Sequence, residues 1–314
     1  MSLFDRLEWF RRTLQFCAPP GEPLIVRART EGFGCWLFLI AQRGHAVALG
    51  SWYSLSFRPI FTGDPDERTR HAMLVAIGRR LRKHAATITL SPMPEGDAAR
   101  LTRAFDRAGW LTAKRPTTVS WTISTDGMTF AEYWAQRPGE LRSTVKRKAA
   151  KFNVETSVFT DFDGVAWSNY EDVYAASWKP DEGSNEFLRH MALAEGKAGA
   201  LRLGLATIDG QFVAAQLWTV ENGHAVIHKL AHLESAAEAS PGSILTATMF
   251  EHVIDRDHVK LVDFGTGDDR YKADWMDMRT PLMTVRFFNP RKVAGLSALV
   301  REGARMLVGR PPSG

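Results

Sequence analysis

Residues 203–275 constrain this chain most. Two glycine turns, Asp209-Gly210 and Asn222-Gly223, separate three apolar runs at 203–208, 212–220 and 225–232. Asp-Gly and Asn-Gly favour the positive-φ turns of two-residue hairpins, so the three runs read as an antiparallel meander. The chain then passes through Ala239-Ser240-Pro241-Gly242-Ser243-Ile244-Leu245 into a helix over 242–256 and returns as a strand over 259–264. A segment of turns and short helix, 265–275, closes the stretch. The helix opens on small, uncharged residues. A helix N-terminus carries unpaired N–H groups and partial positive charge, so this turn is expected to receive an anion.

The pattern occurs twice. Gly44-His45-Ala46-Val47 recurs as Gly223-His224-Ala225-Val226. Each copy sits among hairpin strands followed by a long helix, a short strand, a short helix and a terminal strand. In the first copy the helix spans 67–85 and the strand 87–90, which predicts a duplicated α/β protein. The copies differ at the helix start. The first opens on Gly63-Asp64-Pro65-Asp66-Glu67, whose three carboxylates would repel an anion; the second has no acid before Glu251. The second copy is therefore the expected site.

The remaining elements follow from local signals. Residues 5–16 read as an amphipathic helix, 24–28 and 36–42 as strands, and 97–108 as a helix stopped by Gly109. Residues 110–123 hold one or two strands, with Pro116 at an edge or break. A helix over 138–152 takes Pro138 in its first turn. Residues 154–159 form a strand, 162–177 and 185–196 helices, and 283–288 a strand. In the last helix, 291–308, Val293, Leu296, Val300, Ala304 and Leu307 share one face, expected to pack on the second domain, with peripheral membrane contact as the alternative. The tail, 309–314, is expected to be disordered.

With 314 residues the chain has room for two domains. The boundary is placed between 126 and 127. Cys17 and Cys35 form no metal-ligand spacing, so no zinc site or disulfide framework is expected and a reduced, cytoplasmic protein fits. Charges at Asp5, Arg6 and Glu8 interrupt the first residues before a signal-peptide core can form. The net charge of +5 is compatible with anionic ligands.

At these residues the chain resembles the GNAT-type acyltransferases. The resemblance rests on Asp209-Gly210 through Trp218, on Ile227-His228-Lys229-Leu230-Ala231-His232, on Ser240-Pro241-Gly242, and on Val262-Asp263-Phe264 through Trp275. It looks most like the subgroup associated with cellulose and exopolysaccharide biosynthesis, related to the Fem-type peptidoglycan transferases. Leu141-Arg142-Ser143-Thr144-Val145-Lys146-Arg147-Lys148 and Trp52-Tyr53-Ser54 are similar to that subgroup's pattern. One departure stands out: the usual phosphate loop reads Gln/Arg-x-x-Gly-x-Gly/Ala, and Ser-Pro-Gly-Ser takes its place here.

The resemblance implies tandem GNAT-like halves, each a mixed, mostly antiparallel sheet flanked by helices. Residues 1–126 would be non-catalytic and 127–314 catalytic. The expected reaction moves an acyl group from acyl-CoA (acetyl-CoA) to an amine or hydroxyl on a small-molecule or glycan acceptor, such as an amino sugar or polysaccharide precursor. No metal is needed. Alternatives are a Fem-type transferase using aminoacyl-tRNA and a non-catalytic scaffold in exopolysaccharide assembly. No nucleic-acid partner is expected outside the tRNA reading, and the place of action would be the cytoplasm or the inner membrane face.

Acyl transfer needs a base for the nucleophile, donors for the carbonyl and an acid for the leaving thiolate. Asp263, ending a strand, is the candidate base or orienter, and equally a cap for the Phe-Gly-Thr-Gly turn after it. His228 is a second candidate base, or else a core histidine. Tyr271 is the candidate acid for the thiolate, or else a packing tyrosine. Lys229, Leu230, Ala231, His232, Ser240, Pro241, Gly242, Ser243 and Ile244 are expected to hold the donor. Trp178, Gln216, Asp268, Lys272 and Trp275 are expected at the acceptor, with an Asp268–Lys272 helical pair as the plainer reading of those two.

Overall fold

The computed structural model describes residues 2–308; the tail expected to be disordered lies outside them, as does the side chain of Leu307. Among the described residues there are two compact units. One holds those up to Thr118 and those from Pro281 onward, the other is Val119–Thr280. The single boundary expected at 126/127 is thus corrected to two crossings, each inside a strand.

In chain order the elements are α1 (Leu7–Phe16), β1 (Glu22–Thr30), β2 (Phe33–Gln42), β3 (His45–Ala48), β4 (Ile60–Thr62), α2 (Glu67–His84), β5 (Thr87–Pro94), α3 (Glu95–Arg107) and β6 (Leu111–Ser124). Then come α4 (Phe130–Ala135), α5 (Gly139–Phe152), β7 (Glu155–Phe159), α6 (Gly164–Ala175), α7 (Asn185–Lys197), β8 (Leu201–Ile208), β9 (Gln211–Glu221) and β10 (His224–His232). The chain ends with α8 (Pro241–Glu251), β11 (Leu261–Thr266), β12 (Met278–Phe288) and α9 (Val293–Val308). β5 runs on through Pro92 and Pro94 rather than stopping before them, and Pro116 lies within a continuous β6.

Each unit is a mixed, mostly antiparallel sheet flanked by helices. The first unit orders its strands β1-β2-β3-β5-β12, with β4 also on β2; the second orders them β6-β11-β10-β9-β8-β7. Each order contains one parallel pair: β3 with β5, and β10 with β11. A parallel pair needs a crossover connection, and a helix supplies it in both cases: α2 in one, α8 in the other.

The repeated tetrapeptide begins the first strand of each parallel pair. His45, Ala46 and Val47 face Thr87, Ile88 and Thr89; His224, Ala225 and Val226 face Leu261, Val262 and Asp263. Gly44 and Gly223 both have positive φ. The carbonyl of each accepts from the returning chain, Gly44 O from Ala86 N at 2.6 Å and Gly223 O from Lys260 N at 2.7 Å. The shared sequence therefore marks the shared hydrogen bond that starts the crossover.

The meander of the second unit forms as its turns require. Asp209, Gly210, Asn222 and Gly223 all have positive φ, the geometry of two-residue hairpins. β8 and β9 are buried over most of their length, and α8 lies on them. Gly204 permits this approach, since a Cβ there would stand 2.6 Å from Met249 Sδ. Tyr133, Phe250 and Trp275 stack in the adjoining core, with ring centroids 4.7 and 5.5 Å apart.

Gln216 fixes the first turn of α8 to β9. Its Nε2 donates to Gly242 O at 3.1 Å and Thr246 Oγ1 at 2.7 Å, and its Oε1 accepts from Trp218 Nε1 at 2.9 Å. Replacing it with leucine removes both bonds to the α8 turn and leaves the buried Trp218 Nε1 without its acceptor. Gln216→Leu is expected to lower unfolding stability by about 1–3 kcal/mol, read as an earlier urea midpoint; an unchanged midpoint would refute the anchoring role.

Candidate functional site

The site begins where β10 and β11 stop pairing. Their ladder ends at Val226 and Asp263, yet β10 continues to His232 and β11 to Thr266. A bulge interrupts the β9–β10 register between Ile227 and Lys229, which bends β10 just past this point. Beyond the bulge, the β10 edge that faced β11 is left open as far as His232. Only three residue pairs hold the parallel strands together, so the strands part beside the crossover helix.

The N-terminus of α8 stands at the end of that edge. Ser240 occupies the left-handed region (φ 51°, ψ 45°), joining a 3₁₀ turn, Glu234–Ala239, to the helix. Its side chain does not cap α8; its hydroxyl accepts from Lys148 Nζ of α5 at 2.8 Å. Pro241 has no N–H, and Ile244 N is bonded to Ser240 O at 3.2 Å. The first-turn donors are therefore the amides of Gly242 and Ser243, with a lysine ammonium alongside. A Cβ on Gly242 would lie 3.3 Å from His232 Nδ1, so this ring sits against the turn. Of the expected donor-holding residues, Pro241 lacks a donor, and Ala231, Pro241 and Ile244 bury their side chains, leaving only backbone atoms to serve.

The first unit closes the equivalent position. Asp66 caps α2 by accepting from Thr69 N at 2.7 Å, and Glu67 adds a second carboxylate in the first turn. Its strand partner at the end of the parallel ladder is Thr89, where the second unit has Asp263.

Asp263 is largely buried. Its Oδ1 accepts from Gly265 N at 2.8 Å and from Ser120 Oγ at 3.0 Å. The first contact is the turn cap foreseen as its alternative role. Burial raises its pKa above the usual carboxylate range, against the lowering effect of these two bonds and of nearby Lys272. A more basic carboxylate is a better proton acceptor. Tyr271 follows in the short turn Arg270–Asp274, its ring edge-on to Phe264 at 5.7 Å and 40% exposed. Desolvation raises its pKa, so the phenol keeps its proton and can donate it.

His228 does not fit the role of base. It is the bulge residue, and its Nε2 shares a hydrogen bond with Thr219 Oγ1 at 2.8 Å. Desolvation, with Lys229 adding repulsion, lowers its pKa to about 3. An imidazole of that basicity draws a proton weakly near neutrality.

Several residues expected at ligand positions are committed elsewhere. Gln216 and Trp275 are buried structural groups. Lys229 pairs with Glu182 at 2.9 Å and lies over the Tyr174 ring at 5.1 Å, both buried in the protein. Asp268 binds Arg279 through two hydrogen bonds, and Lys272 reaches Thr266 O at 2.6 Å and Asp269 at 3.4 Å, so the Asp268–Lys272 pair does not form. Trp178 is exposed, with the Lys179 ammonium 4.1 Å from its ring centroid.

Lys229 leads from β10 to a cavity of about 260 Å³ lined by Trp167, Tyr170, Tyr174, Glu171, Glu182 and Lys179, among others, from α6, α7 and their connecting loop. Lys179 is close enough in charge terms to affect His232, and Asp269, Lys272 and Lys229 act on it in turn. The loop therefore borders the cavity, and the charge it carries at Lys179 reaches His232. Tyr174, Glu182 and Lys148 were not singled out from sequence as site residues. Trp167, Tyr170 and Tyr174 repeat at helical spacing, which was a readable signal; the Lys229–Glu182 pairing spans 47 residues and was not.

Comparisons with known proteins bear on the fold and on the second half of the chain. Residues 138–273 match the family model for an acetyltransferase (GNAT) domain. No curated protein matches the chain. The fold is similar to the C-terminal domain of a putative lysylphosphatidylglycerol synthetase from Agrobacterium fabrum (10% identity, TM-score 0.62, covering 95% of this chain and 90% of that one). It is similar to FemX (11%, 0.62, 96% and 99%) and to a tandem GNAT protein from the clavulanic acid biosynthesis pathway (14%, 0.53, 93% and 90%). The stretch that matches the GNAT acetyltransferase family model thus lies within the second unit.

Proposed function

We propose that the second unit transfers an acyl group from acyl-CoA to an amine or hydroxyl, while the first unit is non-catalytic. The parting of β10 from β11 at Asp263, which opens a β10 edge that runs on to an uncapped helix N-terminus at His232, carries this reading. The open β10 edge offers backbone groups to the amides of the pantetheine arm, and the Gly242 and Ser243 amides with Lys148 offer donors to its pyrophosphate. Asp263 takes the proton from the attacking nucleophile, directly or through water. Tyr271 returns a proton to the thiolate as it leaves. The acceptor occupies the cavity between α6 and α7, whose aromatic walls and carboxylates suit a sugar ring bearing an amine, as in an amino sugar or polysaccharide precursor.

One observation favours a second donor. α5 packs Leu141 and Val145 on the core, has no fully buried side chain and carries Arg142, Lys146, Arg147, Lys148 and Lys151, of which Lys148 bonds Ser240 at the α8 turn. A cationic helix there would also suit the polyphosphate backbone of an aminoacyl-tRNA, the Fem-type reading. Titration separates the two. Acyl-CoA binding at micromolar to millimolar concentration, weakened about tenfold or more by Lys148→Glu, supports the first. Absence of binding to any CoA thioester by folded protein, with steeply salt-dependent tRNA binding, would replace it.

The catalytic roles are tested by conservative variants. Asp263→Asn keeps an oxygen that can accept from Gly265 and Ser120, so the fold should hold while turnover falls about 10²–10⁴-fold. Tyr271→Phe should lower turnover with little change in donor affinity. Because burial raises the Asp263 pKa, the acidic limb of the rate profile should lie above the ordinary carboxylate range, with activity rising as pH rises through it. Full turnover in Asp263→Asn, or a limb that stays in place in that variant, would remove it from the mechanism.

A further inference from the structure

The last helix faces the wrong way for a packing helix. Val293, Leu296 and Val300 fall at helical spacing on one face, and they are 84%, 44% and 72% exposed. This is the stripe expected to be buried on the second domain. The helix packs in the first unit through its opposite face. There Gly295 lies so close to the backbone that a Cβ would stand 2.2 Å from Asn289 O, Ala298 is buried, and Glu302 is buried in an ion pair with Arg286. The apolar face is left for something outside the chain's described residues.

The same end of this unit is cationic. Asn289 Nδ2 ties the start of the helix to the end of α2 by donating to Arg82 O and Ala85 O at 2.9 and 3.1 Å, and Lys292 Nζ reaches Lys83 O at 3.3 Å. This places Arg291 and Lys292 beside Arg79, Arg80, Lys83 and His84, which line one surface depression. Arg291 is close enough to Arg82 to lower its pKa, although burial is the larger cause. Nothing in a hydrated polyanion, such as a nucleic acid, would reward three exposed aliphatic side chains next to these charges. An anionic bilayer rewards both: acyl chains for the stripe and headgroups for the cations.

We propose that the outer face of α9 and the cationic end of α2 form a docking surface for an anionic lipid bilayer. The proposal concerns the first unit and does not depend on the chemistry of the second. Sedimentation of the full chain with phosphatidylcholine vesicles, with and without phosphatidylglycerol, tests it. Binding should require phosphatidylglycerol and weaken with salt. Leu296→Asp with Val300→Asp should reduce partitioning about tenfold or more, and Arg80→Glu with Lys83→Glu should do likewise. These side chains are on the surface, and circular dichroism confirms folding. Failure to sediment with phosphatidylglycerol vesicles would overturn the proposal, as would binding unaffected by the Leu296 and Val300 changes. A concentration-dependent dimer without vesicle binding, dispersed by the same changes, would assign the stripe to a second copy instead.

Discussion

The structure of the second unit turns on a parallel ladder only three residues long. Antiparallel partners can be joined by a two-residue turn, and β8, β9 and β10 are. The β10–β11 pair cannot, so a helix must cross over between them. Its first turn comes down where β10 ends. Ending the ladder at Val226 and Asp263 then converts a sheet interior into an open edge. A buried backbone edge without partners is costly unless water or a ligand supplies them. The bulge at His228 bends the strand at the point of departure, so the opening is built into the register.

The duplicated unit shows which parts of this arrangement belong to the fold and which to the site. Both copies keep the glycine carbonyl that starts the crossover, the three-residue ladder and the helix after it. They part at the helix N-terminus and at the end of the ladder. In one copy Asp66 satisfies the helix's own amide and Thr89 ends the ladder; in the other the hydroxyl of Ser240 turns to Lys148 and Asp263 ends it. Geometry common to both copies needs no ligand to explain it. The chemical differences, an uncapped cationic turn and a basic carboxylate, are what a functional reading must account for.

Much of this was legible in the sequence because local chemistry determines it. Asp209-Gly210 and Asn222-Gly223 fix the hairpins, and the repeated Gly-His-Ala-Val fixes the matching strands. What was not legible depends on distant partners. β9 is buried on both sides, so alternation could not reveal that Gln216 serves α8. Lys229 looked available until the loop between α6 and α7 brought Glu182 to it. The late domain crossing at 280/281 leaves no compositional mark, because it falls within a continuous strand.

The last helix shows why periodicity names a face but not its direction. An apolar stripe ordinarily points inward because burial removes it from water. That rule assumes the other face cannot pack. Here the other face carries Gly295, Ala298 and Glu302, and it packs by different means: close backbone approach, a small side chain and an ion pair with Arg286. Close approach through Gly295 requires that face to lie inward whatever the stripe prefers. Once Asn289 has tied the helix start to α2, the helix has no rotation left that would bury Val293, Leu296 and Val300 while keeping Gly295 against Asn289 O. The outward stripe follows from the backbone contact, and its exposure is a property the surroundings of the protein must answer.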